Sequence, residues 1–262
     1  MPLASLDGRV LPAAEATIGI TDDGLLRGDG VFEVIRLYAG RPFALEDHLR
    51  RLAGSAANLR LEIDLGAVRA EIGALLAAAD PSELDGALRL VLTRGGRRIA
   101  LLEPRPGIAA QVALASVTFA PVRVLDGVKS LSYAANMLAT RLAQEQGADE
   151  ALLVTPHGRV LEAPTSTIFW ARDGTLRTPP LSDHVLDSIT RRRLLAAIEA
   201  REEATSLDDL LGADEAFLAS TLREVQAVGA VDGHELAVAP GPLTAAAGEA
   251  FARIVARELG AG

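Results

Sequence analysis

A switch of hydrophobic period near residue 40 constrains this chain more than any other local feature. Val31 to Tyr38 is rich in branched and aromatic residues, lies between the turn signals Gly28-Asp29-Gly30 and Ala39-Gly40-Arg41-Pro42, and reads as a strand. From Leu45, apolar residues fall at Leu45, Leu49, Leu52, Ala56 and Leu59, the spacing of one helix face. The alternation continues. Residues 67–79 read as a helix with Val68, Ile72, Leu75 and Leu76 inward, and residues 87–94 and 111–119 read as strands. The pattern predicts a mixed α/β (α+β) fold.

A connector from Ala120-Pro121 to Gly127 divides the chain, giving an N-terminal domain over residues 1–120 and a C-terminal domain over 127–262. In the second part, residues 133–146 read as a helix stopped by Gly147. Residues 151–154 and 159–162 form a hairpin around Thr155-Pro156-His157-Gly158. Residues 167–171 and 215–219 read as strands. Residues 188–200 read as a helix capped by Ser188, and residues 244–259 as a closing amphipathic helix.

Several function classes are disfavoured. A net charge of −9 argues against nonspecific binding to nucleic acid or to an anionic membrane surface. There is no cysteine, so disulfides, thiolate metal sites and cysteine nucleophiles are excluded. The histidines, His48, His157, His184 and His234, form no HExxH pair, and no metal site is expected. No leader is read in the first ten residues and no stretch of about 20 apolar residues is present, so a cytoplasmic protein is the expectation.

Of the 26 basic residues 25 are arginine, and Lys129 is the one lysine. Guanidinium stays charged, whereas an ammonium can lose its proton and attack a carbonyl. The general depletion of lysine fits a coding bias toward Ala, Gly and Arg; the one that remains is a candidate nucleophile. Pyridoxal phosphate (PLP) chemistry needs such an amine, an anion for the ring nitrogen and a phosphate cradle. Lys129, Glu162, the helix start Ser188-Ile189-Thr190-Arg191 and Ser220-Thr221 would supply them, because a helix N-terminus offers free N–H groups and a favourable dipole to phosphate. Each piece alone has an ordinary reading as a solvated charge, a cap or a turn hydroxyl.

Their order along the chain resembles the class IV, fold-type IV, PLP enzymes. The resemblance runs from about Gly28 to about Gly233. It is carried by Gly28-Asp29-Gly30-Val31-Phe32-Glu33, His48-Leu49-Arg50-Arg51-Leu52, Lys129-Ser130-Leu131-Ser132-Tyr133, Val160-Leu161-Glu162-Ala163, Ile189-Thr190-Arg191 and Ala219-Ser220-Thr221. It implies a two-domain enzyme with a small N-terminal α/β domain and a larger C-terminal pseudo-barrel domain, assembled as a homodimer. It further implies that Lys129 holds PLP and shuttles the proton, and that Glu162 pairs with the ring nitrogen. Arg51, the N–H groups of Ile189 and Thr190, Ser220 and the Thr221 hydroxyl would take the phosphate. Tyr133 would stand near the phenolic oxygen, and Leu186 would pack on the ring.

The chain departs from the family pattern at Ser188, where glycine is usual, at Thr167, where asparagine is usual, and at Ala227, where proline is usual. The segments Gly28 to Tyr38 and Ala219 to Val228 look most like D-amino acid aminotransferases, which implies transfer between an amino acid and a 2-oxo acid. Phe32 replaces the tyrosine that such enzymes can place near the substrate carboxylate. The Arg-x-His pair is absent, since no histidine lies between His48 and His157. Arg27, Arg97 and Arg98 are therefore the candidates for the carboxylate. Alternatives are an aminodeoxychorismate lyase, a branched-chain L-amino acid aminotransferase and an (R)-amine transaminase.

Overall fold

The computed structural model describes residues 2–260. The chain separates into two compact units, one made of the residues up to Pro106 together with Val128–Tyr133, the other of Gly107–Gly127 and the residues from Ala134 onward.

The first unit contains β1 (Leu3–Leu6), β2 (Arg9–Pro12), α1 (Asp23–Arg27), β3 (Gly30–Tyr38), β4 (Arg41–Pro42), α2 (Leu45–Asn58), α3 (Leu65–Ala78), β5 (Gly86–Thr93) and β6 (Arg98–Pro104). Its sheet runs β2-β1-β6-β5-β3-β4 with antiparallel neighbours throughout. Side chains alternate across a strand, so Val31, Ile35 and Leu37 of β3 share a face with Leu88, Leu90 and Leu92 of β5. Leu49, Leu52 and Ala56 of α2 and Val68, Ile72 and Leu75 of α3 cover that face as one core.

The second unit contains β7 (Gln111–Thr118), α4 (Ala134–Glu145), β8 (Glu150–Val154), β9 (Thr167–Arg172), β10 (Thr175–Thr178), α5 (Ile189–Ala197), β11 (Ala200–Glu202), α6 (Leu207–Leu211), β12 (Glu215–Ser220), β13 (Glu224–Val231), β14 (His234–Glu235) and α7 (Pro242–Glu258). Its eight-stranded sheet runs β11-β10-β9-β12-β13-β7-β8, with β14 on β13. It is mixed: β10/β11, β13/β7 and β7/β8 are parallel, and the other pairs antiparallel. Phe169 and Phe217, opposite each other on β9 and β12, stack at 4.9 Å in its interior.

The structure departs from three sequence expectations. The division is not at residues 120–127. β7 belongs to the second sheet, because Gln111 pairs with Ala227 and Leu114 with Glu150, while Val128–Tyr133 returns to the first unit. The helix expected over residues 188–200 stops at Ala197. Ile198 is extended (φ −130°, ψ 152°), and Ala200 pairs with Leu176 as a parallel strand. The second arm of the expected hairpin forms hydrogen bonds to β8 but is not a regular strand: Leu161 N–H donates to Leu153 O and Leu153 N–H to Glu162 O, both at 2.9 Å.

Candidate active site

In the first unit, the backbone fixes the lysine. Lys129 N–H donates to Ser55 Oγ of α2 at 3.1 Å, and its carbonyl accepts from Phe32 N–H at 3.0 Å. Ser130 bridges to Val31, and Leu131 N–H donates to Gly30 O at 2.9 Å, so the segment lies along the start of β3. Gly30 suits that approach: a Cβ there would stand 2.4 Å from Leu92 O and 2.6 Å from Leu131 Cδ1. Lys129 Nζ lies 4.4 Å from the centre of the Phe32 ring and 5.9 Å from that of Tyr133, and the two rings meet edge to face at 5.3 Å. The amine thus stands against an aromatic wall, within cation–π range of both rings.

The opposite face of β3 carries Glu33, a carboxylate in register with the core positions Val31 and Ile35. Its side chain is fully buried. Arg51 meets it with two parallel bonds, Nε to Oε1 and Nη2 to Oε2, both 2.7 Å, and His48 Nδ1 is also 2.7 Å from Oε2. His48 and Arg51 lie three residues apart on α2 and so share a face. Burial alone would raise the Glu33 carboxyl, but the Arg51 guanidinium, aided by the His48 ring, outweighs it and holds the pKa at about 2. Burial pushes His48 below 6.5, only partly offset by Glu33. A neutral His48 beside a carboxylate carries its proton on Nδ1 and donates it, leaving Nε2 as a buried acceptor without a hydrogen-bond partner among the described residues.

This cluster makes acid stability predictable. The Glu33 pKa is depressed on folding, so its contribution is complete above 4.5 and is lost as pH falls from 4.5 through about 2. A shift of that size corresponds to about 3 kcal/mol. His48 acts in the same direction, beginning near 6.5, since the unfolded chain binds its proton more readily. Urea unfolding midpoints should therefore decline between pH 5 and 2, with a shallower decline in Glu33→Gln. Equal slopes in both proteins would contradict the assignment.

In the second unit, two expected cofactor residues are joined directly: Leu186 N–H donates to Glu162 Oε1 at 3.1 Å. Ser188 caps α5 (φ −71°, ψ 132°), its Oγ accepting from Arg191 N–H at 3.3 Å. The cap therefore forms without the usual glycine. Ile189 and Thr190 occupy the first two helical positions, where N–H groups have no acceptor one turn back. Thr190 Oγ1 is buried and has no hydrogen-bond partner among the described residues. The buried Arg191 ties the helix to the preceding loop through Pro179 O at 2.9 Å and to Glu202. Ser220 ends β12, Thr221 opens the turn to β13, and Ser220 Oγ accepts from Arg223 N–H at 3.4 Å. Arg223 is anchored by Glu150 and by Gln226 Oε1 at 2.8 Å.

Each of the expected substrate arginines is paired with a carboxylate. Arg27 is exposed and paired with Asp23 within α1; Arg97 Nη1 pairs with Asp7 at 2.6 Å and Arg98 with Glu71 at 2.8 Å. Three residues near the site were not assigned roles from sequence. Glu33 and His48 were within matched motifs, and a carboxylate at a core position of an alternating strand was the available signal. Arg89, on β5, lies 5.7 Å from the Phe32 ring and pairs with Glu103 at 2.9 Å.

A helix start with a buried hydroxyl that has no partner among the described residues fits a phosphate, and the chain's single lysine on an aromatic wall fits an aldehyde-bearing aromatic cofactor. A fold IV-transaminase from Curtobacterium pusillum superposes with a TM-score of 0.85 at 29% identity, covering 97% of this chain and 100% of that one. A PLP-bound hypothetical aminotransferase from Mycobacterium tuberculosis superposes with a TM-score of 0.86 at 27% identity, covering 98% of this chain and 100% of that one. The amino-transferase class IV family model matches residues 30–231, and the chain belongs to that family. It is a class IV aminotransferase, and PLP is its cofactor. A putative branched-chain-amino-acid aminotransferase from Methanocaldococcus jannaschii is 35% identical over 87% of this chain and 88% of its own. A D-alanine aminotransferase from Bacillus licheniformis is also 35% identical, over 91% of this chain and 92% of its own. Among the described residues, no helix is long and apolar enough to cross a membrane.

Proposed function

We propose that this aminotransferase moves amino groups between an amino acid, D-amino acids favoured, and a 2-oxo acid, with Lys129 handling both cofactor and proton. The observation that carries this reading is the placement of the chain's one lysine, with its peptide bonded to β3 and α2 and its Nζ on the Phe32 ring. PLP, when bound, supplies a positively charged ring that takes up the electron pair released at the substrate's α-carbon. Lys129 Nζ would hold the cofactor and, once free, would move the proton at the substrate's α-carbon. Glu162, oriented by Leu186 N–H, would keep a proton on the ring nitrogen, and Leu186 would pack on the ring. The N–H groups of Ile189 and Thr190, the hydroxyls of Ser220 and Thr221, and Arg51 would bind the phosphate. Tyr133 would stand by the phenolic oxygen.

Phe32 forms an apolar side of the substrate position. Arg27 and Arg97 remain the arginines assigned to the substrate carboxylate. Each is engaged by an aspartate, so binding exchanges one charge-assisted contact for another. The D-amino acid reading is supported by the match from Gly28 to Tyr38 and by the Bacillus licheniformis relative. A branched-chain L-amino acid reading is favoured by one observation: Phe32, in place of tyrosine, offers no hydroxyl beside the lysine. The reading carries with it a homodimer of the 27.4 kDa chain, which sedimentation at twice that mass would show.

The deciding experiment follows the visible absorbance of the loaded enzyme on mixing with D-alanine, L-leucine or an (R)-amine. Fastest bleaching by D-alanine is expected. Fastest bleaching by L-leucine would transfer the protein to the branched-chain reading. Pyruvate release from aminodeoxychorismate, without amino transfer, would make it a lyase.

A further inference from the structure

We infer that Glu33 is a positioning residue for the cofactor phosphate: braced by His48, it fixes the plane of the Arg51 guanidinium. The inference rests on the reading that Arg51 binds that phosphate. Glu33 reaches Arg51 from β3, across the core face, while His48 and Arg51 both come from α2. The two oxygens of Glu33 occupy the Nε–Nη2 edge of the guanidinium with equal 2.7 Å bonds, a geometry that determines the direction of its other edge. Oε2 is shared with His48 Nδ1 at 2.7 Å, so the carboxylate cannot turn without losing a second bond. Glu33 and His48 are fully buried and the Arg51 side chain is 12% exposed. Bound this way, the buried charges of Glu33 and Arg51 cancel. The low carboxyl pKa and the neutral imidazole agree with that charge count.

A carboxylate placed behind a phosphate-binding arginine weakens its electrostatic pull on the anion. If charge alone mattered, removing Glu33 would tighten phosphate binding. If Glu33 positions Arg51, removing it loosens phosphate binding although the site becomes more positive. The sign of the effect separates the two.

The full-length chain, stripped of cofactor, would be titrated with PLP and with pyridoxal, which lacks the phosphate, following the visible band. In Glu33→Gln the PLP dissociation constant is expected to rise roughly 10-fold or more, the loss of a charge-assisted contact. The pyridoxal constant should change by less than about threefold. Glu33→Asp keeps the charge but shortens the reach, and is expected to behave like the glutamine variant. It carries the test if that variant does not fold. Equal weakening of both probes would show a merely structural role, and tighter PLP binding a purely electrostatic one; either overturns the proposal. Arg51→Met serves as the control on the underlying reading. If it leaves the preference for PLP over pyridoxal intact, Arg51 does not bind phosphate and that reading fails. If it abolishes the preference while both Glu33 variants keep it, only the positioning role is lost.

Discussion

Lys129→Ala is expected to lower transamination about a thousandfold or more, with little change in thermal stability. General acid–base catalysis alone contributes roughly 10²–10⁴-fold, and the covalent hold on the cofactor adds to it. Its Nζ stands over two rings, each worth about 0.5–1 kcal/mol at partly exposed sites, and the backbone hydrogen bonds of residue 129 to Ser55 and Phe32 are kept in the variant. Lys129→Arg should be no better, since guanidinium does not deprotonate. Small primary amines added to the alanine variant should restore part of the rate. Substantial activity in either variant without added amine would remove Lys129 from the proton's path.

Glu162→Gln is expected to retain cofactor and fold but to lose about 10²–10³-fold in turnover, the range found when a preorganised electrostatic contact is removed. The glutamine carbonyl can still accept the Leu186 N–H bond that the carboxylate accepts now, so the backbone of that loop is preserved. What disappears is the charge that keeps a proton on the ring nitrogen. Stopped-flow half-reactions with the best amino donor would measure it. Rates within a few-fold of the unsubstituted enzyme would show that Glu162 does not serve the ring nitrogen.

Local pattern made much of this molecule legible. The strand at residues 31–38 and the helix that follows it were readable because both pattern and punctuation agreed, and the observed bounds, Gly30–Tyr38 and Leu45–Asn58, lie within a residue. What local pattern could not supply was long-range pairing. β7 was read correctly as a strand but placed with the wrong unit, because its partners begin at Glu150 and Ala227. The helix at 189–197 was overrun for the same reason: the strand pairing of Ala200 with Leu176 is tertiary. The same division holds for the candidate site. Lys129 was conspicuous as the one ammonium side chain, and Glu162 and Leu186, far apart in any motif, proved to be hydrogen-bonded. Glu33 and His48 lie within matching motifs, but only the packed structure shows a carboxylate on the core face meeting two residues of one helix turn. Charge alone points to Arg27 and Arg97, and in the structure that charge is engaged by Asp23 and Asp7.

The central claim is that the single lysine holds the cofactor, and it is most directly tested by chemistry on the holoenzyme. Borohydride reduction fixes PLP to the amine that carries it, and peptide mapping then locates the attachment. The expected product is one phosphopyridoxyl group on the peptide containing Lys129, with the visible band lost in step. A tag at the chain's amino terminus, or a protein that retains its visible band and carries no tag, would contradict the account.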